Sequence, residues 1–183
     1  YPSEEALKIA YLLGEITEME GVSNTYFKDL NLQTFPNTKI SRETNFAQLV
    51  TLFFNTDDGD LSDKKVRLAL TYALPDSFTY GKRTYAPYSS LSQYYNSEIA
   101  ARKQDFSHAK LLMSPDQAAS VSGQTAHAPT KVTIKTLKKY RNTAEEIAKA
   151  WKNIDITTSI EEVDGIPNEY QIFLGDFNIP KDP

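Results

Sequence analysis

The clearest hydrophobic pattern in the chain runs from Val50 to Leu74, where an apolar run, an acidic turn and an amphipathic stretch follow one another without interruption. Leu49 to Phe54 is short, apolar and rich in β-formers, and Asn55, Asp57, Asp58 and Gly59 close it, as expected of a strand buried on both faces and its turn. The run predicts a central strand. Ser62 or Asp63 is placed to cap the helix that follows, in which Val66, Ala69, Leu70 and Ala73 recur on one face before Pro75 ends it.

Either side of this unit the period keeps switching between helix and strand. Ser3 is a good N-cap with Glu4 and Glu5 in the first turn, and Ala6, Ile9, Ala10 and Leu13 form a stripe that Gly14 ends. Leu30 to Phe35 and Lys39 to Arg42 read as extended segments broken by polar residues and Pro36. Pro75 to Gln104 has no sustained period and carries Tyr80, Tyr85, Tyr88, Tyr94 and Tyr95, which predicts a long ordered loop. Asp105 to Met113 is a short helix, Ser114 to Gln117 opens another that Gly123 ends, and Gln124 to Thr130 is a surface link. Lys131 to Leu137 alternates, with Val132, Ile134 and Thr136 on one face, as in a half-buried strand. Asn142 and Glu145 read as a capping box ahead of the cleanest helical stripe, Ala144, Ile147, Ala148 and Trp151. Ile154 to Val163 and Tyr170 to Phe177 are extended. The six residues between them are too few for a parallel crossover, so as neighbours they should be antiparallel. Alternating helix and strand predicts an α/β fold, a mixed β-sheet with flanking helices.

Composition narrows the function more than the fold. At 183 residues and 40% hydrophobic content the chain suits one domain, residues 1–183, with a substantial core. A net charge of −4 with both signs interspersed offers no concentrated basic face, so nucleic acid is not an expected partner. Without cysteine there is neither a disulfide framework nor a thiolate metal site. No apolar run approaches the roughly 20 residues of a membrane span, and the N-terminus lacks the basic-then-apolar pattern of a signal peptide. A soluble piece, mature or excised, is expected.

Local motifs of nucleotide binding, zinc proteolysis and serine hydrolysis are all missing from the sequence. His108 and His127 have no second ligand at metal spacing and read as surface residues. Asp57, Asp58, Asp60 and Asp63 invite a calcium reading. Their spacing does not fit the twelve-residue calcium loop, however, and acidic residues before a helix are favoured by its dipole. Arg67 flanks the helical stripe, where its stem covers apolar surface. No metal and no cofactor are expected. The tyrosines of the long loop read first as rings that cover core, with Tyr85, Tyr88 and Tyr94 as candidates for ligand contact.

Three stretches in fixed order carry a family resemblance. Phe54 to Thr56 followed by Ser62 to Ala73 gives Phe-Asn-Thr, an acidic turn and Ser-Asp-x-x-Val-Arg-x-Ala-Leu-x-Tyr-Ala. Asp105 to Leu112 is similar to an Asp-Pro-x-x-Ala-Lys-x-Leu-Leu helix, and Tyr170 to Pro183 to a Tyr-Asp-Ile-x-Leu-x-Gly-Trp…Asp-Pro segment. Together they resemble family 5 of the bacterial extracellular solute-binding proteins, the peptide, dipeptide and nickel receptors of ABC importers. The resemblance runs from about Ala10 to Pro183 and implies one lobe of a type II periplasmic binding protein, most of the second lobe of a longer two-lobed receptor. It also implies a peptide or other small solute as ligand, a membrane permease as partner, an extracytoplasmic location and no catalysis. In peptide-binding relatives a Trp follows the glycine of the last segment, and an Asp three residues later receives the peptide's amino group. Those positions here read Asp176 and Ile179, so either the ligand lacks that amine or Asp176 replaces the carboxylate, and Asp176, Phe177 and Asn178 are the candidate ligand contacts. Two alternatives stand beside this reading. One is a small α/β hydrolase-like enzyme with its site in the Tyr80 to Tyr95 loop, the other a protein-interaction module built on open sheet edges.

Overall fold

A computed structural model describes residues 1–22, 37–41, 44–46, 48–86, 88, 92–114 and 129–178, which fall into two compact units, residues 1–43 and 44–183. In the first unit the Ser3 hydroxyl accepts the Ala6 amide and opens helix α1, Glu4–Leu12, with Glu4 and Glu5 in the positive first turn. Gly14 follows at φ +74°, a left-handed conformation that glycine adopts without steric cost, and the helix ends there. Of the predicted stripe only Ala10 is buried, while Ile9 and Leu13 are exposed. The predicted segment Leu30 to Phe35 lies outside the described residues, and residues 39–41 form no strand.

The second unit contains strand β1 (Gln48–Phe54), helix α2 (Lys64–Tyr72), helix α3 (Phe106–Met113) and strand β2 (Lys131–Leu137). A 3-10 turn (Lys138–Tyr140) then leads into helix α4 (Arg141–Trp151), and a second (Lys152–Ile154) leads out of it to strands β3 (Thr157–Val163) and β4 (Ile172–Asn178). The sheet order is β1-β4-β2-β3, with β2, β3 and β4 mutually parallel and β1 antiparallel to β4. The α/β class and the mixed sheet are as the pattern predicts.

Three expectations need correction. Among the described residues β1 pairs with β4 alone, so the central strands are β4 and β2 and the Leu49 to Phe54 run is an edge. An apolar run reports that both faces are covered, and every residue of β1 is indeed half-buried. It carries no information about which edge is hydrogen-bonded. Secondly, β3 and β4 are not neighbours, because β2 lies between them. Residues 164–171 suffice for this crossing because β4 starts opposite Ile134 rather than Lys131, which shortens the return, and Lys135 Nζ holds the connection by donating to the Glu169 carbonyl at 2.8 Å. Thirdly, Asn142 does not cap α4. The 3-10 turn puts Tyr140 at the N-cap position with no side-chain cap bond, and Glu145 instead pairs with Arg141 at 3.0 Å. A capping box needs a non-helical first residue, and the turn removes it.

The core lies on one face of the sheet. Val132, Ile134 and Thr136 of β2 and Ile172 and Leu174 of β4 are buried against Val66, Ala69 and Leu70 of α2 and Ala144, Ile147 and Trp151 of α4. On the opposite face Phe173 stacks on Phe53 at 6.0 Å between centroids and meets Tyr170 at 5.9 Å. Its ring also lies over Gly175, where an added Cβ would stand 2.6 Å from Phe173 Cε1. Phe173 is buried and cannot swing away freely. Gly175→Ala is therefore expected to destabilise by about 1–3 kcal/mol, as overpacking does. A denaturant midpoint equal to wild type would show that the ring yields without cost.

Described residues near both ends of the long loop after α2 are held by carbonyls at the helix terminus. The last turn of a helix leaves four carbonyls without intrahelical partners. Here Trp151 Nε1 donates to Leu70 O at 2.9 Å, Arg83 to Thr71 O at 2.9 Å and Leu74 O at 3.2 Å, Asp105 N to Tyr72 O at 2.8 Å and Gln104 Nε2 to Ala73 O at 3.1 Å. Both ends of the loop are thus fastened to one helix terminus.

Candidate functional site

Strand alternation puts Asp176 on the same face as Ile172 and Leu174 but beyond the core, at the carboxyl end of β4 and opposite Val50 of β1. Lys139 and Tyr140 belong to the 3-10 turn that directly follows the carboxyl end of β2, the parallel neighbour of β4. Lys139 and Gln48 bond the Asp176 carboxylate, and Tyr140 faces it. The Lys139 ammonium lies 3.0 Å from Oδ2, and the Gln48 amide from the start of β1 donates to the same oxygen. Tyr140 is fully buried, with its ring 4.9 Å from Lys139 Nζ. Tyr80 packs edge-on against it at 5.3 Å. Glu146 of α4 holds the tyrosine loop there by accepting the Thr79 amide at 3.1 and 3.2 Å.

The Tyr140 hydroxyl is buried and, among the described residues, makes no hydrogen bond of normal geometry. It faces Tyr80 and Asp176. Burial first, then these two neighbours, push its pKa far above the ordinary phenol range. Above about pH 10 the unfolded chain gives up this proton while the folded chain keeps it, so stability is full below that pH and falls as pH rises. Tyr140→Phe removes an unmet donor and leaves the packing in place. Its thermal midpoint at neutral pH should equal or exceed wild type, with a shallower decline in alkali. A clear loss at neutral pH would mean that the hydroxyl has a partner in solution.

The other predicted candidates are placed differently. Phe177, adjacent to Asp176, projects from the opposite face of the sheet and is 48% exposed, and Asn178 is exposed opposite Gln48. Tyr85 is engaged within its own loop, where its hydroxyl donates to Asp76 Oδ1 at 2.6 Å and Arg83 lies 5.1 Å from its ring. That hydrogen bond, with lesser help from the Gln104 amide and Arg83 and against some loss of hydration, holds the Asp76 carboxyl below the usual range. Tyr88 and Tyr94 are in ring contact at 5.8 Å, with Tyr94 42% exposed. The acidic turn is engaged in structural bonds: Asp58 Oδ1 accepts the Asp60 and Leu61 amides and the Gln171 amide group, and Asp63 caps α2. Arg67 donates to the Leu61 and Ser62 carbonyls, and His108 lies edge-on to Tyr72. Among the described residues no group of three or more acidic or histidine side chains could hold a metal ion. His127 and Ile179 lie outside the described residues. Lys139, Tyr140, Gln48 and Tyr80 were not singled out as ligand contacts from the sequence. The available signal was the Lys138-Lys139-Tyr140 run at the end of a predicted strand.

The family model for bacterial extracellular solute-binding proteins, family 5, middle region, matches residues 1–179. The chain belongs to this family. Solved structures with the same fold include three at 20–23% identity. The oligopeptide-binding protein AppA from Bacillus subtilis, in complex with a nonapeptide, is 23% identical with a TM-score of 0.72 over 100% of this chain and 40% of its own. NikA from Brucella suis, in complex with Fe(III)-EDTA, is 20% identical with a TM-score of 0.71 over 100% and 41%. DppA from Helicobacter pylori, in complex with the peptide STSA, is 20% identical with a TM-score of 0.70 over 98% and 36%. The fold is that of the type II periplasmic binding proteins, and this family 5 chain spans about two fifths of the length of these three proteins. A comparison with curated proteins returned no match. No helix of the described residues is long and apolar enough to cross a membrane.

Proposed function

We propose that this chain is most of the second lobe of a longer receptor that captures a peptide or similar small solute outside the membrane and delivers it to the permease of an ABC importer. The observation that carries this reading is the family match over residues 1–179. In such a receptor the lobe acts as one wall of a cleft, and affinity comes from burying the solute between two walls that close on a hinge. The wall here is the carboxyl end of β2 and β4, because open α/β sheets bind ligands in the crevice outside those ends. Asp176 and Tyr140 face one another there, and Tyr80 packs on the Tyr140 ring. AppA and DppA with bound peptides support a peptide, while NikA with Fe(III)-EDTA shows that the fold also takes a small chelate. The receptor performs no reaction and works in the periplasm or at the cell surface.

Mass spectrometry of solutes released by denaturing the purified full-length protein tests this. A peptide or a defined small solute at near-stoichiometric amount is expected. Turnover of an ester, phosphate or glycoside substrate, with no solute released, would favour the enzyme reading instead.

A further inference from the structure

Several charged groups at the carboxyl end of the sheet are committed to one another. Lys139 pairs with Asp176, Arg141 with Glu145 and Glu162, and the Glu146 carboxylate takes the Thr79 amide. Tyr80 stands at the same end, against Tyr140, and is 40% exposed. We propose that Tyr80 is a binding residue of the receptor, that its ring receives an aromatic side chain of a bound peptide, and that Glu146 is the positioning residue that seats it there. The inference rests on the reading of this end of the sheet as one wall of a peptide-binding cleft, and it names a side chain that the wall selects.

Three observations carry it. The first is how the ring is held. Phe78 and Gly81 exchange backbone hydrogen bonds at 2.7 and 3.1 Å, and Ser77 pairs with Lys82 behind them, so residues 77–82 form a hairpin with Thr79 and Tyr80 at its tip. Neither tip residue has a positive φ, which excludes the I′ and II′ turns whose twist matches that of paired strands. A hairpin this short does not hold itself. It is held from outside: Phe78 packs against the core, Tyr80 lies edge-on to the fully buried Tyr140 at 5.3 Å, and both Glu146 oxygens accept the Thr79 amide. The second is the division of labour between the two rings of the hairpin. Phe78 covers core, while Tyr80 keeps much of its surface in solvent beside the strand ends. The third is the economy of a fixed ring. A tyrosine ordered before binding has little freedom left to lose, and rigid, amphipathic rings of this kind dominate binding where they are exposed. With the neighbouring charges paired, ring surface is what this end presents to a solute.

The test uses the full-length receptor with tetra-alanine and the four tetrapeptides in which one alanine is replaced by phenylalanine, with affinities from isothermal titration calorimetry. Wild type should bind the best phenylalanine peptide about 10-fold more tightly than tetra-alanine, from the ring contact and the apolar area it buries. Tyr80→Ser should bring that preference to within about 2-fold and leave tetra-alanine within about 2-fold of wild type. Tyr80→Phe should keep the preference, and Tyr80→Leu, which retains apolar volume on Tyr140 without a ring, should fall between. Glu146→Ala should shrink the preference, and Glu146→Gln, which still offers an oxygen to the Thr79 amide, should restore it. A selective loss of this kind is not what a purely structural role would give. If Tyr80→Ser keeps the preference, or wild type shows none, while the peptides still bind, the role of Tyr80 is overturned and the receptor reading stands. Equal losses for tetra-alanine and the phenylalanine peptides in the Tyr80 variants would make the ring structural and overturn the proposal as well. If no peptide binds wild type, the peptide reading fails and this proposal fails with it.

Discussion

Leu70→Ala is expected to lower the unfolding free energy by about 2–5 kcal/mol, the range for a large-to-small change at a buried aliphatic site. Leu70 is fully buried on the face of α2 that meets the sheet, between Ala69 and the alanine and tryptophan stripe of α4. Position within that range depends on whether the neighbours can collapse into the space. One feature limits collapse. The carboxyl end of α2 is fastened by five hydrogen bonds from Trp151, Arg83, Asp105 and Gln104, so the helix cannot slide inward. The upper half of the range follows. The substitution keeps the backbone carbonyl that receives the indole N–H, so it reports packing apart from that hydrogen bond. Denaturant unfolding followed by far-ultraviolet circular dichroism should show a lower midpoint with an unchanged slope. A midpoint within experimental error of wild type would mean that α2 is not seated on the sheet as described.

The same helix shows what the sequence made legible. Val66, Ala69, Leu70 and Ala73 lie at helical spacing and all four are buried, since period alone decides which face of a helix is covered once a sheet is present. The β2 alternation was equally informative, down to Thr136, whose hydroxyl is buried and reaches the Leu174 carbonyl at 3.3 Å. Strand order was not legible. Whether Leu49 to Phe54 is central or peripheral depends on hydrogen bonds to residues 172–178, far along the chain, and neither run encodes its neighbour. The capping box at Asn142 failed for a local reason, because a 3-10 turn fused to the helix occupies the place where the cap would stand. The candidate site was legible only in its carboxylate. Asp176 stood out by its place in a family segment, but its counter-ion lies at position 139, and Tyr80 reaches Tyr140 across sixty positions of chain. Contacts of that separation come from the sheet and the pinned loop, which composition and spacing do not report.

Trp151 tests the joint between α2 and α4, and its replacement is expected to have the largest effect in the chain. It is the one tryptophan in the sequence and is fully buried, and its indole N–H donates to Leu70 O, one of the carbonyls that α2 cannot satisfy internally. Emission from the folded chain should therefore be blue-shifted and move to the red on denaturation, and an emission maximum unchanged through unfolding would place the ring in water. Trp151→Ala removes both the packing and the donor and should cost about 3–5 kcal/mol. Trp151→Phe divides the two contributions. It keeps most of the apolar surface but leaves the Leu70 carbonyl buried without its partner, which costs about 1–3 kcal/mol in addition to a smaller packing loss. Leu70→Ala combined with Trp151→Phe should then depart from the sum of the two single effects, because the substituted side chains share one contact region. Strict additivity in that cycle would show that the indole packs elsewhere and that the loop, not the α2–α4 joint, carries the strength of this part of the fold.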